Sequence, residues 1–118
     1  RRRQSGPATA LRTRLEDEEL SVSVYVACEL FAGAELARDR GTERQRVQRI
    51  CDEVQIAYPD ERFAPIYGRL QATLQTSGRT IGTMDLLIAA AALVDAAPLV
   101  TRNAREFSRV PGLKVIGY

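Results

Sequence analysis

Short strand-like stretches alternate with helical stretches along the sequence. The segment LSVSVYV at residues 20–26 has Leu or Val at every second position, which is the period expected of a half-buried strand. Residues 63–74 instead carry apolar side chains at helical spacing. Strands that alternate with helices predict a mainly parallel sheet covered by helices on both faces, so we expect an α/β fold. In such folds the functional site lies beyond the carboxyl ends of the strands.

No internal repeat, low-complexity tract or linker interrupts the predicted elements. Strands are predicted at residues 20–26, 54–58, 98–101 and 113–117. Helices are predicted at residues 7–19 and 83–96, with one more helical turn starting at Asn103. Two further helices are predicted to end at a Gly: one runs from Ala27 to a stop at Gly41, and one runs from a cap at Asp60 to a stop at Gly78. A capping box that opens at Thr42 predicts another helix. The helix that opens at Thr42 is expected to turn Val47, Ile50 and Cys51 inward.

The length of 118 residues fits a single domain, which we expect to span residues 1–118 with residues 1–6 frayed. The longest apolar run, residues 86–94, is about half of the ~20 residues that a membrane-spanning helix needs. We therefore expect no membrane partner.

The side chains available for chemistry are limited, because the sequence contains no His. A zinc site or a Ser-His or Cys-His nucleophile system is therefore not expected. The two cysteines, Cys28 and Cys51, lie on apolar helical faces and are predicted to be buried free thiols in a reducing cytoplasm. Acid–base or metal chemistry must then depend on carboxylates.

Three carboxylates, Glu29, Asp85 and Glu106, are each predicted to lie just past a strand and at the start of a helix. Acids in these positions, far apart in sequence, are expected to meet at one edge of a parallel sheet. Clusters of oxygen ligands select Mg²⁺ or Mn²⁺ over softer metals. Two such ions would activate a water molecule and stabilise the leaving oxygen of a phosphodiester.

Each of these acids also has a purely structural explanation. Glu29 and Asp85 suit the first turn of a helix, where the helix dipole favours an acid, and Thr83 would then be the N-cap before Asp85. Glu106 lies three residues after Asn103, which is the spacing of a capping box. The joint placement of the three acids, more than any one of them, favours a metal site.

Three segments carry a resemblance to a known family: SVYVACELFAGA at residues 23–34, IGTMDLLIAA at 81–90 and LVTRNAREFSRVPGLKV at 99–115. In these segments the chain resembles the PIN-domain nucleases, and within them the VapC toxins of bacterial toxin–antitoxin pairs, over roughly residues 8–118. The resemblance implies a three-layer α/β/α sandwich with a mainly parallel central sheet. It also implies that Glu29, Asp85 and Glu106 are the second, third and fourth acids of a metal site, and that Thr101 and Asn103 support it.

The chain departs from the family pattern at the first acid, an Asp at the end of a first, central strand. No apolar strand ending in Asp precedes Glu29, so we expect that this strand is lacking from the given chain. Two explanations remain open: an N-terminal stretch of the natural protein is omitted, or the natural protein is a truncated, inactive copy.

The resemblance implies that the protein is an endoribonuclease toxin. Its activity would depend on Mg²⁺ or Mn²⁺, and its substrate would be a structured RNA such as tRNA. The expected partners are a cognate VapB-like antitoxin and a second copy of the chain, and the expected location is the cytoplasm. Arg residues make up 16 of the 17 basic residues, and four of them flank the acidic segments. These four would steer RNA phosphates toward the acids, or they would simply form part of the solvated surface. These four are Arg79, Arg102, Arg105 and Arg109.

Two other functions compete with this one. The absent first acid favours a non-catalytic PIN-like module that binds an antitoxin or another protein. A different α/β enzyme, such as a phosphoryl-transfer receiver or another hydrolase, is the weakest candidate, because it would need a first-strand acid with a suitably placed Lys or a Gly-rich phosphate loop.

Overall fold

A computed structural model describes residues 21–117 of the chain. The described residues form two compact units, 21–60 and 61–117. The first unit contains β1 (Ser21–Ser23), α1 (Val24–Glu35), α2 (Arg40–Glu53) and β2 (Gln55–Ala57), and the second contains α3 (Phe63–Thr76), α4 (Thr83–Val94), β3 (Leu99–Thr101), α5 (Ala104–Phe107) and β4 (Val115–Gly117). The predicted helix at residues 7–19 and the predicted fraying of residues 1–6 lie outside the described residues.

In the first unit, β1 and β2 pair in parallel, with Val22 opposite Ile56. The connection between the two strands consists of the helices α1 and α2, which pack against each other. Parallel strands require such a crossover, so the alternation of elements in the sequence predicted this pairing correctly. The small residues Ala27 and Ala34 of α1 are buried, as is Val47 of α2.

In the second unit, α3 and α4 pack against each other, and β3 and β4 pair in parallel with Val100 opposite Ile116. The predicted helical periodicity of α3 is confirmed, because Leu70 and Leu74 on its apolar face are buried. The buried side of α4 is wider, as its nearly uniform apolar sequence predicted. Its buried residues are Leu86, Ile88, Ala89 and Ala90.

The first strand is shorter than predicted, because α1 begins at Val24. The side-chain oxygen of Ser23 accepts a hydrogen bond from the backbone N–H of Val26 over 3.2 Å, which caps the helix. A capped helix start satisfies a backbone amide that would otherwise lack a partner, and this local contact outweighs the strand preference of the Val residues. The prediction that residues 24–26 are strand was wrong.

The predictions that Gly41 is a stop and Thr42 opens a capping box were also wrong. Helix α2 begins at Arg40, and its N-cap is Asp39, whose carboxylate accepts from the backbone N–H of Thr42 over 3.2 Å and from its hydroxyl over 2.7 Å. A carboxylate that makes both contacts stabilises the helix start, and this stabilisation outweighs the destabilisation caused by one Gly in the first helical turn.

Two other predicted N-caps are displaced by one or two residues. The N-cap of α3 is Arg62 instead of Asp60, and the N-cap of α4 is Gly82 instead of Thr83. Neither Arg62 nor Gly82 makes a side-chain capping bond. Neither helix start therefore carries a capping bond from the residue at its N-cap position, and residue type alone did not mark that position.

The cysteines are free, but their burial differs from the prediction. Cys28 is exposed and Cys51 is half-buried, while Ala27 occupies the buried position next to Cys28. Ile50, which was expected to face inward, is 37% exposed. Among the described residues, no helix has the length and apolar character needed to cross a membrane.

Candidate active site

Glu106 is the third residue of the short helix α5, which follows the two-residue loop after β3. The side-chain amide of Asn103 donates to Oε2 of Glu106 over 2.7 Å. The backbone N–H of Asn103 donates to Oγ1 of Thr101 over 3.0 Å. The two polar residues predicted to support the site thus form a chain of contacts that ends on the carboxylate and fixes one of its oxygens.

The capping-box explanation of Glu106 is not supported by these contacts. In a capping box, the backbone N–H of the capping residue would donate to the acid, but that N–H of Asn103 donates to Thr101 instead. Asn103 stands at the N-cap position of α5 and makes no side-chain capping bond. Its amide is directed at the carboxylate instead, and Glu106 lies in the first turn of α5, where the helix dipole also favours an acid.

Asp85 is the third residue of α4 and is half-buried. It is the only charged residue of that helix. Its place in the first turn is favourable for an acid through the helix dipole, so this structural explanation remains valid for Asp85.

Glu29 lies in the second turn of α1 and is exposed. Helix α1 has no acid in its first turn, so the explanation through the helix dipole was wrong for Glu29. Because Glu29 is exposed, its carboxylate keeps its hydration and burial imposes no cost on it. The second-turn position of Glu29 follows from the start of α1, which lies three residues before the predicted one.

The three predicted ligands come from both units: Glu29 from the first, Asp85 and Glu106 from the second. Within the described part of either unit, no three His, Cys, Asp or Glu residues lie close enough to hold a metal ion. The assembly of the three acids into one site therefore stays a prediction. As a donor set they fit a hard divalent cation, because all three supply carboxylate oxygens.

The four arginines predicted to meet RNA all belong to the second unit, with Asp85 and Glu106. Arg102 and Arg105 are exposed. The backbone N–H of Arg79 closes the end of α3 by donating to Leu74. The guanidinium of Arg109 donates from Nη1 to the backbone carbonyl of Thr80 over 3.3 Å. No sequence pattern signals this last contact, which joins residues 29 positions apart.

The clearest electrostatic contact of the first unit lies between α1 and α2. The Nε and Nη2 atoms of Arg44 donate to the two carboxylate oxygens of Glu35 over 2.5 and 2.6 Å. The hydrogen bonds from Arg44, together with its charge, lower the pKa of Glu35 below its ordinary value. The hydroxyl and backbone N–H of Thr42 likewise lower the pKa of Asp39.

A hollow of about 330 Å³ on α2 is lined by Gln45, Gln48 and Arg49, none of which the sequence had marked as functional. Gln48 donates to Asp52 over 2.9 Å, one helical turn further on. The predicted acids do not line this hollow.

Residues 3–113 of the chain match the model of the PIN domain. Ribonuclease VapC1 of Haemophilus influenzae is 33% identical over 100 residues, which are 85% of this chain and 75% of that protein. Ribonuclease VapC19 of Mycobacterium tuberculosis is 36% identical over 97 residues, which are 82% of this chain and 74% of that protein.

Solved structures give the same assignment for the fold. The crystal structure of VapBC2 from Rickettsia felis, bound to a promoter DNA fragment, matches with a TM-score of 0.85 and 26% identity, covering 96% of this chain and 86% of that one. VapBC-1 from nontypeable Haemophilus influenzae matches with a TM-score of 0.79 and 31% identity, covering 93% and 82%. The chain therefore has the α/β fold of the PIN domain and belongs to the PIN-domain family, within it to the VapC ribonucleases.

Proposed function

We propose that this protein is the endoribonuclease toxin of a VapBC-type pair and that it hydrolyses RNA phosphodiester bonds with the help of Mg²⁺ or Mn²⁺. The observation that carries the proposal is the 33% identity to a ribonuclease VapC1 over three-quarters of that protein's length. The name of a second relative, the tRNA(fMet)-specific endonuclease VapC of Shigella flexneri, supports a structured RNA such as tRNA as the substrate; it is 29% identical over 103 residues.

In this proposal Glu29, Asp85 and Glu106 are the residues that hold the divalent metal. A bound ion of this kind lowers the pKa of a water molecule and stabilises negative charge on the leaving oxygen. The contact from Asn103 uses one acceptor site of Glu106, and the carboxylate would still have free acceptor sites for a bound ion. Thr101 holds the backbone of Asn103 and so keeps this carboxylate in one orientation.

Arg79, Arg102 and Arg105 are proposed to bring the phosphates of RNA toward these acids. Guanidinium groups are suited to this because they stay charged and can donate two hydrogen bonds to one phosphate. Contacts of this kind release counterions from RNA, so binding should weaken steeply as salt rises.

The proposed partners follow from the solved complexes of relatives, which contain an antitoxin together with the toxin. We propose a VapB-like antitoxin that neutralises this protein, and a homodimer as the toxin form. The complexes of Rickettsia felis and Salmonella typhimurium are bound to DNA, so the toxin–antitoxin complex of this protein is also proposed to bind its promoter. The proposed location of the pair is the cytoplasm.

A cleavage assay on total tRNA tests the enzymatic part. The natural full-length protein is expected to cut RNA with Mg²⁺ or Mn²⁺ and to stop when a chelator is added. Asp85→Asn and Glu106→Gln should each lower the rate at least about 100-fold, because even residues that only support a metal ligand contribute 10- to 100-fold. Asp95→Asn is a matched control, since this exposed acid lies at the opposite end of α4 from Asp85.

The absence of cleavage by the unmodified protein with either metal would contradict the nuclease proposal. If the same preparation still binds a VapB-like antitoxin, the non-catalytic module becomes the better explanation. Isothermal titration with Mn²⁺ separates the two further, because a binding module without a complete acidic site should take up the ion weakly or not at all.

A further inference from the structure

We infer that Arg109 is a positioning residue that sets the distance between the segments carrying Asp85 and Glu106. The inference rests on the proposed function only in that these two acids are taken as metal ligands. It gives Arg109 a role different from the RNA contact expected from the sequence.

The contacts of Arg109 connect the two segments directly. Its guanidinium Nη1 donates to the backbone carbonyl of Thr80 over 3.3 Å, and Thr80 lies five residues before Asp85. Its backbone N–H donates to the carbonyl of Glu106 over 3.2 Å. One residue is thus bonded to the helix that carries Glu106 and to the connection that leads into α4.

The backbone of Arg109 is itself firmly held. Its neighbours in the same turn, Phe107 and Val110, are each only 3% exposed. The N–H of Val110 also donates to the carbonyl of Phe107 over 3.0 Å, which closes the turn around Arg109. The guanidinium therefore extends from an anchored backbone, although the side chain is at the surface.

Thr80 lies between two fixed ends of the α3–α4 connection. At its start, the N–H of Arg79 donates to Leu74 over 2.8 Å, and at its end the N–H of Leu86 donates to Gly82 over 2.9 Å. The bond from Arg109 reaches the stretch between these points. A hydrogen bond there restricts the path by which the chain enters α4 and so restricts the position of Asp85.

A comparison of Arg109→Gln with Arg105→Gln tests this role in the full-length protein. Both arginines are exposed and both variants remove one positive charge near Glu106, but Arg105 has no such contact with Thr80. Two quantities are measured without RNA: amide hydrogen exchange of residues 80–85 and the affinity for Mn²⁺ by calorimetry. RNA binding and its salt dependence are measured in parallel, with a chelator present to prevent cleavage.

Arg109→Gln is expected to speed exchange in residues 80–85 and to weaken Mn²⁺ binding about 3- to 10-fold, the range that one hydrogen bond of ordinary net strength allows. Arg105→Gln should change neither quantity and should instead weaken RNA binding and flatten its salt dependence. Circular dichroism shows whether both variants keep the helical content of the unmodified protein.

Equal exchange rates in the two variants would overturn the inference. It would also be overturned if Arg109→Gln reduced RNA binding and its salt dependence while exchange stayed unchanged, because Arg109 would then be a phosphate ligand. If the unmodified protein takes up no Mn²⁺ and cuts no RNA, the proposed function fails. The exchange measurement still decides in that case whether Arg109 holds the connection into α4.

Discussion

Two helices of the second unit end in the same hydrogen-bonded motif, although the residue in the left-handed position differs. At the end of α3, Gly78 has φ of +71° and the N–H of Arg79 bonds to Leu74. At the end of α4, Ala96 has φ of +51° and the N–H of Ala97 bonds to Ala92. The sequence predicted the stop at Gly78, but no residue type marked Ala96.

Exchanging the two residue types should change stability in opposite directions. Gly78→Ala is expected to lower the free energy of unfolding by about 1–2 kcal/mol, because a left-handed conformation is unfavourable for a residue with a Cβ. Ala96→Gly should raise it by about 0.5–1 kcal/mol, the smaller value reflecting the greater freedom of Gly in the unfolded chain. Urea unfolding of the three proteins measures both changes.

The control for this pair is Ala97→Gly, one residue beyond the left-handed position. Ala97 is not among the described residues with positive φ, so Gly there brings no relief of strain and should be neutral or destabilising. The Cβ of an alanine at position 78 would meet no atom within 4 Å, so any loss must come from the backbone. Equal stability of Gly78→Ala and the unmodified protein would contradict the argument.

The contact between Asn103 and Glu106 makes a second prediction for a single residue. Asn103→Ala removes the amide that holds Oε2, and the carboxylate then samples several rotamers. Cleavage of RNA is expected to fall about 10- to 100-fold, as for other residues that orient a metal ligand. The measurement is the cleavage rate over a range of Mn²⁺ concentrations.

Ser108→Ala provides the matched control for Asn103→Ala. Ser108 follows the same short helix and its hydroxyl donates to the carbonyl of Arg105 over 2.6 Å, without contact to the carboxylate. It should therefore leave the rate nearly unchanged. Similar rates in both variants would show that the amide of Asn103 has no part in orienting Glu106.

Among the elements, the pair of helices α1 and α2 depends most clearly on charge. Glu35 at the end of α1 is bonded to Arg44 of α2, and Asp39 caps α2. Both carboxyl groups have pKa values below their ordinary values of 4.5 and 3.8. Their contribution to stability is complete above those ordinary values and is lost as pH falls through the lower pKa values of the folded protein.

We therefore expect the helix pair to lose stability in acid. At neutral pH, Glu35→Gln and Asp39→Asn should each melt at a lower midpoint temperature than the unmodified protein. This difference should vanish in acid, once both carboxyl groups are protonated. Circular dichroism melting curves over that range measure the difference. Glu53→Gln, an exposed acid at the end of α2, is the control and should show no such dependence on pH. A constant difference between pH 7 and pH 2 would contradict the assignment.

The elements themselves were predictable where a long periodic pattern decides them. Helix α3 follows from its apolar spacing, and the parallel pairs follow from alternation. Element boundaries were less predictable, because Ser23 and Asp39 set them through single hydrogen bonds that compete with propensity. The same limit affected the site, since the early start of α1 placed Glu29 in its second turn, exposed to solvent.

For the whole molecule, the important fact is that the proposed ligands are divided between the two units. Periodicity identifies the strands, but it does not say which residues of different elements approach one another. The family resemblance supplied the grouping of Glu29, Asp85 and Glu106, and the contact of Asn103 with Glu106 was found only in the structure.

A double-variant cycle tests whether the two units contribute to one site. If Glu29 and Asp85 hold the same metal ions, removing either one should abolish most of the cleavage, and removing both should cost little more. Groups that act as a unit give losses that are far from additive, whereas independent sites give losses that add. The expected result is therefore a rate for Glu29→Gln/Asp85→Asn within about tenfold of the slower single variant.

The measurement is the single-turnover cleavage rate of the two single variants and the double variant at saturating Mn²⁺. Glu53→Gln combined with Asp85→Asn provides a pair drawn from the same two units, with Glu53 as an exposed acid at the end of α2. This pair should behave like Asp85→Asn alone. Additive losses for Glu29 and Asp85 would mean that Glu29 acts apart from the acids of the second unit, and the active site would then have to be sought around Asp85 and Glu106.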